Sequence, residues 1–287
     1  MSKAKVAIVK GTNPVEAAVK ALETLGADVD SVLFVKKPVL IKPNYINSRH
    51  PSTGITTDSR VIEGIVKFLR ERKIEEIIIG EGSGFGDTFQ AFKVAGVDAV
   101  AERYGVRLID LNKDEFVEVC PPNPFSLKNV SVAKTALESI IISVPKLKPH
   151  RIATVTLSLK NMMGVLASKG TMHAGLSLSE KIADLASVVT PSLSVIDGII
   201  AGEGHETSGN PVKTNLVIAG VDPVAVDSVG AAVMSVRPTS VKHLVFAAEK
   251  GLGTCRLEEI TVLGQSIESV KRKFSRSLSS TLLAYLG

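Results

Sequence analysis

Short runs of β-branched and aliphatic residues alternate along the chain with longer stretches whose apolar positions recur every three or four residues. "KVAIVKG" (5–11) is followed by "PVEAAVKALETLG" (14–26), then by "PVLIKPN" (38–44). "DSRVIEGIVKFLRERK" (58–73) leads into "IEEIIIGEG" (74–82), and "DTFQAFKVAGVDAVAERYG" (87–105) leads into "VRLIDL" (106–111). Such strand–helix alternation predicts successive βα units, hence an α/β fold with a mostly parallel sheet and helices on both faces. From Glu115 to about Lys134 the pattern breaks around "PPNPF", which predicts a short irregular β excursion in the middle of the chain. Strands resume at "ESIIISVPKLK" (138–148), "SLSVIDGI" (192–199), "NLVIAG" (215–220) and "EEITVLG" (258–264). "LSLSEKIADLASVV" (176–189) reads as a helix, as do "DPVAVDSVGAAVMSV" (222–236), with Asp222 as cap and Pro223 in its first turn, and "VKHLVFAAEKG" (241–251).

No low-complexity linker or short repeat interrupts this order. Residues 1–265 are therefore expected as a single α/β domain, with two packed lobes divided near 115–135 as the alternative. Beyond them Ile267, Val270, Phe274, Leu278 and Leu282 recur at helical spacing, so residues 266–287 are expected to form a C-terminal amphipathic basic helix. Its apolar stripe needs burial, either on the body or on a second copy of the chain, which makes a homo-oligomer one expected partner.

Composition sharpens this picture. Tryptophan is absent and aromatics make up only 4% of the 287 residues, so the core must be aliphatic, and the stacking platforms of single-stranded nucleic-acid binders are missing. The net charge of +5 looks basic until it is located: residues 266–287 carry +3 of it and the preceding 265 only +2. Nucleic acid is therefore not an expected partner. Cys120 and Cys255 stand far apart and outside any CxxC, which fits a cytoplasmic setting and argues against an iron–sulfur cluster in this chain. No uninterrupted apolar run reaches membrane-spanning length, so no transmembrane segment is expected.

In open α/β sheets ligands collect at the carboxyl ends of the strands. Polar signatures recur at the predicted ends: "IKPN", "GEGSGFGD", "VPKLKPH", "IDG" and "AGVDPVAVD". Lys42, Lys146, Lys148 and Lys160 stand out, because lysines within apolar stretches meet a carboxylate, an anionic ligand or solvent. Three accounts compete for them: neutralisation of a small bound anion, alternating outward positions on an edge strand, or pairing with Glu81, Asp197 or Glu203. Asn44 and Asn161 would orient such an anion, and Ser83 lies in a glycine-rich turn that offers backbone amides. His150 and His173 supply titratable nitrogens. The glycines at 80, 82, 84 and 86 form neither a dinucleotide fingerprint nor a Walker loop. Glu81, Asp197, Glu203, His205 and Asp222 admit a divalent metal, although their spacing matches no metal motif.

These signatures, in this order, resemble the domain of unknown function 362 family. The matching stretches are "KPN" (42–44), "TTD" (56–58), "GEGSG" (80–84), "VPKLKPH" (144–150), "LSLKNMMG" (157–164), "SKGTMH" (168–173), "IDGIIAGEG" (196–204) and "DPVAVD" (222–227), so the resemblance spans about residues 38–235. Many relatives carry ferredoxin-like cysteine clusters, which implies redox chemistry for them, and this chain lacks those cysteines. The expected function is a cytoplasmic enzyme that binds a small carboxylated or phosphorylated substrate or cofactor at the carboxyl-end rim. Lys42, Lys146, Lys148, His150 and Lys160 hold the ligand with Asn44, Ser83 and Asn161, and Glu81 with His173 is the catalytic pair. The rival is a non-catalytic binding or accessory protein serving a separate iron–sulfur redox partner. Neither reaction type nor ligand identity follows from the residues.

Overall fold

The computed structural model describes residues 3–277. Twelve strands and twelve helices are described there. The first half runs β1 (Ala4–Lys10), α1 (Pro14–Leu25), α2 (Ala27–Leu33), β2 (Val39–Pro43), α3 (Ser59–Glu71), β3 (Ile77–Glu81), α4 (Thr88–Ala95), α5 (Val97–Tyr104) and β4 (Arg107–Asp110). A two-stranded antiparallel excursion follows, β5 (Phe116–Val119) and β6 (Val130–Ala133), where the irregular middle was expected. The second half continues with α6 (Lys134–Glu138), β7 (Ile140–Val144), a minimal pair β8 (Pro149–His150) and β9 (Thr154–Val155), α7 (Leu157–Asn161), α8 (Gly170–His173) and α9 (Leu178–Ala186). It closes with β10 (Leu193–Glu203), β11 (Asn210–Gly220), α10 (Pro223–Val233), α11 (Lys242–Glu249), β12 (Ile260–Gly264) and α12 (Ile267–Val270).

Eight strands form one sheet in the order β12-β1-β11-β10-β7-β2-β3-β4. Every neighbouring pair is parallel except those made by β11, which runs antiparallel to both β1 and β10. Alternate strand residues enter separate cores, as a sheet buried on both faces requires. Ala7, Val39, Ile41, Ile77 and Ile79 pack under α1 to α5, whereas Val6, Ile8, Leu40 and Ile78 pack under α6, α7 and α9 to α11. Caps fall where short polar side chains precede the helices: Asn13 accepts from Val15 N at 3.1 Å, Asp87 from Gln90 N at 2.7 Å and Asp222 from Ala225 N at 2.8 Å.

Three expectations need correction. "IDG" does not end a strand, because β10 continues through a bulge between Gly198 and Ile200 to Glu203, still paired with β11. "AGVDPVAVD" lies at the opposite rim, since the reversal of β11 carries Gly220 back beside Ser194 at the start of β10. The expected C-terminal helix is a single turn, Ile267–Val270. After it the chain takes no helical form through Ser277: Arg272 N donates to Val233 O at 2.9 Å, Ser275 N donates to Glu203 Oε2 at 3.1 Å, and Phe274 enters the core. Docking along the end of α10 satisfies these amides in place of helical bonds. The rest of that expected helix, residues 278–287, lies outside the described residues.

Candidate functional site

Strands β7, β2 and β3 are adjacent, and their carboxyl ends open toward α7 and the turn Met162–Val165. Lys42, near the end of β2, is only 1% exposed. Its ammonium donates to Glu81 Oε1 at 2.5 Å, Pro43 O at 2.9 Å and Asn161 Oδ1 at 3.2 Å, so all three N–H bonds have acceptors. Glu81 is equally engaged: Oε1 also accepts Gly82 N at 2.8 Å and Oε2 accepts Tyr45 N at 2.7 Å. Burial lowers the Lys42 pKa, and the charge of Glu81 opposes that shift. Glycines make room for the pair. A β-carbon on Gly164 would overlap Glu81 Oε1 and Lys42 Nζ, and one on Gly82 would strike the Gly164 carbonyl.

Helix α7 supplies the next two residues. Its amino end is held by the buried Asp227 carboxylate, which accepts Ser158 N at 2.7 Å and Leu159 N at 2.9 Å. The turn into it is strained, with Leu157 at φ +43°. Asn161 faces inward, donating to Lys42 O at 3.0 Å and Ser143 Oγ at 3.2 Å and accepting from Asn44 Nδ2 at 3.2 Å. That network fixes the orientation of both amides and leaves Asn44 Oδ1 buried without a donor among the described residues. The ammonium of Lys160, one residue earlier, makes no hydrogen bond and no ion pair within 4 Å among the described residues. Burial brings its pKa down to about 8, partly opposed by the more distant Glu206 and reinforced by Arg151.

Lys42, Asn44, Glu81, Lys160, Asn161 and His173 line a cavity of about 250 Å³. Its other side chains include Ile46, Phe85, Thr156, Met163 and Lys169. Three lysines and one carboxylate thus face it, with Lys42 and Glu81 cancelling each other. His173 is exposed and stacks on His150 with ring centroids 6.1 Å apart. Burial, then the charge of Lys160, pushes the His173 pKa below its usual 6.5.

The remaining expected site residues lie behind or beside the cavity. Lys146 and Asp197 form a fully buried pair at 2.7 Å, and the same carboxylate accepts Asp58 N at 2.7 Å and Ile199 N at 2.9 Å. Lys148 donates to Ile55 O at 2.7 Å and Glu206 O at 3.1 Å; burial, helped by Lys160 and Lys146, lowers its pKa to about 7. His150 is buried, its Nδ1 accepting from Ile152 N at 3.2 Å and Ala153 N at 3.1 Å, which places the proton of the neutral ring on Nε2, 3.6 Å from Glu206 Oε1. Burial and then Lys160 hold His150 well below the usual imidazole range. Ser83 Oγ is buried without a partner among the described residues, and Ser83 does not line the cavity.

The pairing account holds for Lys42 and Lys146, which meet Glu81 and Asp197, whereas Lys160 meets no carboxylate within 4 Å among the described residues. Lys169 was missed by sequence reasoning. It lines the cavity and donates to Asn112 Oδ1 at 2.5 Å and Leu166 O at 3.0 Å; its signal was the "SKGTMH" stretch. The oxygen donors considered for a metal are dispersed, since Glu203 meets Ser275 N and Asp222 caps α10 at the far rim. Among the described residues no three His, Cys, Asp or Glu side chains gather where they could hold a metal ion. No described helix is long and apolar enough to cross a membrane.

Comparison with known proteins agrees with this cluster of motifs. The thylakoid-associated protein sll1697 of Synechocystis sp. (strain ATCC 27184 / PCC 6803 / Kazusa) is 25% identical over 224 residues, covering 75% of this chain and 68% of that protein. The family described as "Domain of unknown function (DUF362)" matches residues 39–232, a span that contains every residue lining the cavity, and the chain belongs to that family.

Proposed function

We propose that the chain binds a small anion, a carboxylate or a phosphate ester, in the cavity at the carboxyl ends of β2 and β3, and acts on it as an enzyme of the cell interior. The observation that carries this is Lys160: among the described residues its desolvated ammonium has no hydrogen bond or ion pair, and it lines a cavity in which the one carboxylate those residues supply, Glu81, is already saturated. An ion in that position is costly until a counter-charge arrives, so an incoming anion gains what the protein itself does not supply. Lys169 adds a second positive charge to the lining, and Asn44 Oδ1 awaits a donor. His173, neutral at pH 7, is the proton-transfer candidate on the cavity wall. The threefold engagement of Glu81 fits a positioning role, in which it holds Lys42 in place.

That engagement also favours a second reading, in which the protein holds an anionic ligand or cofactor without transforming it and passes it to a separate iron–sulfur partner. The Synechocystis relative is named as thylakoid-associated, which fits a setting beside a membrane. Native mass spectrometry and metal analysis of freshly purified full chain would identify any co-purifying anion or divalent ion. Calorimetric titration of inorganic phosphate and of acetate into wild-type protein and into Lys160→Met tests the binding claim. Binding of at least one of them that is lost in the variant is the expected result, and equal behaviour of both proteins would sink it. Consumption of the co-purified anion by wild type but not by His173→Asn separates enzyme from carrier.

A further inference from the structure

We propose that the anion taken by this cavity carries an apolar group of about one ring in size, which lies against Ile46 and Phe85 while the charged head meets Lys160. This rests on the anion reading above and names the class of substrate within it. The cavity, about 250 Å³, has more room than inorganic phosphate or acetate fills. Its lining is divided in character: lysines and amides near the ends of β2 and β3, and Ile46, Phe85 and Met163 elsewhere.

The apolar part is built into the backbone. Phe85 N donates to Ile46 O at 2.9 Å, which ties the glycine-rich turn after β3 to the segment after β2. Gly84 lies so close over Ile46 that an added β-carbon would be 2.5 Å from Ile46 Cδ1, so the turn packs directly on that side chain. Phe85 is 66% exposed although it lines the cavity, so its ring stands at the mouth. Phe89, the next exposed phenylalanine, meets Phe92 edge-on at 5.8 Å, whereas Phe85 makes no ring contact among the described residues. A single exposed phenylalanine is ordinary on a protein surface. One whose backbone is tied to Ile46 at the mouth of a cation-lined cavity supplies a face that an aromatic or compact aliphatic group covers, and covering it removes apolar surface of both partners from water.

Calorimetric titration of matched probes into the full chain tests this: inorganic phosphate against phenyl phosphate, and acetate against benzoate. In wild type the ring-bearing member of the pair that binds should be tighter by about tenfold or more, the effect of burying a few apolar carbons. Phe85→Ala should remove most of that preference and leave inorganic phosphate or acetate affinity within about twofold, and Phe85→Leu should restore part of it. Lys160-dependent anion binding with no ring preference, or a preference unchanged in Phe85→Ala, would overturn the inference and leave the anion reading standing. Ring-bearing probes that bind Lys160→Met as well as wild type, or no binding of any of the four probes, would overturn both.

Discussion

Replacing Lys160 by methionine should make the protein more stable and at the same time unable to hold an anion. The folded chain keeps this ammonium without a close acceptor, and its pKa falls from 10.5 to about 8. That difference corresponds to on the order of 3 kcal/mol of stability lost by carrying the charge at pH 7. The side chain retains some exposure, so the expected gain from a methionine of similar reach is about 1–3 kcal/mol. The sign has a pH signature. Because the folded pKa lies below the unfolded one, the unfolded chain binds more protons between about pH 8 and 10.5, and wild-type stability climbs with pH across that window. The variant lacks this contribution, so the gap between the two proteins should be widest below pH 8 and should shrink by about half by about pH 9.5. Urea unfolding followed by circular dichroism at the two pH values measures it directly. An anion bound at Lys160 should stabilise wild type by about 2.7 kcal/mol at a hundredfold excess over Kd and leave the variant unmoved. A variant that is less stable at pH 7, or a gap that does not change with pH, would mean that Lys160 has a structural partner, and the main support for the anion site would fall.

Lys146→Met should behave oppositely, costing about 3–5 kcal/mol because Asp197 is left charged and buried, and a denaturation midpoint equal to wild type would refute the pairing. Gly164→Ala should cost about 2–4 kcal/mol by forcing Lys42 and Glu81 apart, and unchanged urea unfolding would show that the pair yields freely. The field of Lys160 lowers the His173 pKa, so Lys160→Met should raise it; proton NMR titration checks this, and an unmoved value would mean that the two groups do not face the same space.

The strand–helix alternation was legible because each strand is buried on both faces and so reads as a short aliphatic run, as "IIIGE" at β3 and "IIISV" at β7 do. The direction of a strand leaves no such trace. "NLVIAG" has the composition of its parallel neighbours, yet β11 is reversed because the link after Glu203 turns the chain straight back on itself. Candidate chemistry divides similarly. That lysines crowd the strand ends is visible in the residue order, but which of them is neutralised depends on partners 39 residues away for Lys42 and 51 for Lys146. The free state of Lys160 is equally a property of the folded surroundings. The tail shows the reverse failure: Ile267, Val270 and Phe274 do have helical spacing, and the hydrogen bonds offered by Val233 and Glu203 override it after one turn.

The place of β1 in the sheet has a consequence for how the chain is made. It leaves the ribosome before every other described strand, yet its two neighbours are β11 and β12, more than 200 residues further on. Lys10 faces Leu216 and Ala4 faces Ile260, so more than 200 residues must be translated after β1 before either edge of it can be paired. At about 5–20 residues per second that is a wait of roughly 10–40 s for a segment carrying Val6, Ala7 and Ile8, all destined for complete burial. Meanwhile β2, β3 and β4, contiguous in sequence and in space, can assemble with α3 to α5 as they emerge. Assembly of this sheet therefore proceeds from its cavity-bearing middle outward, and β1 is joined only once β11 and β12 have been made.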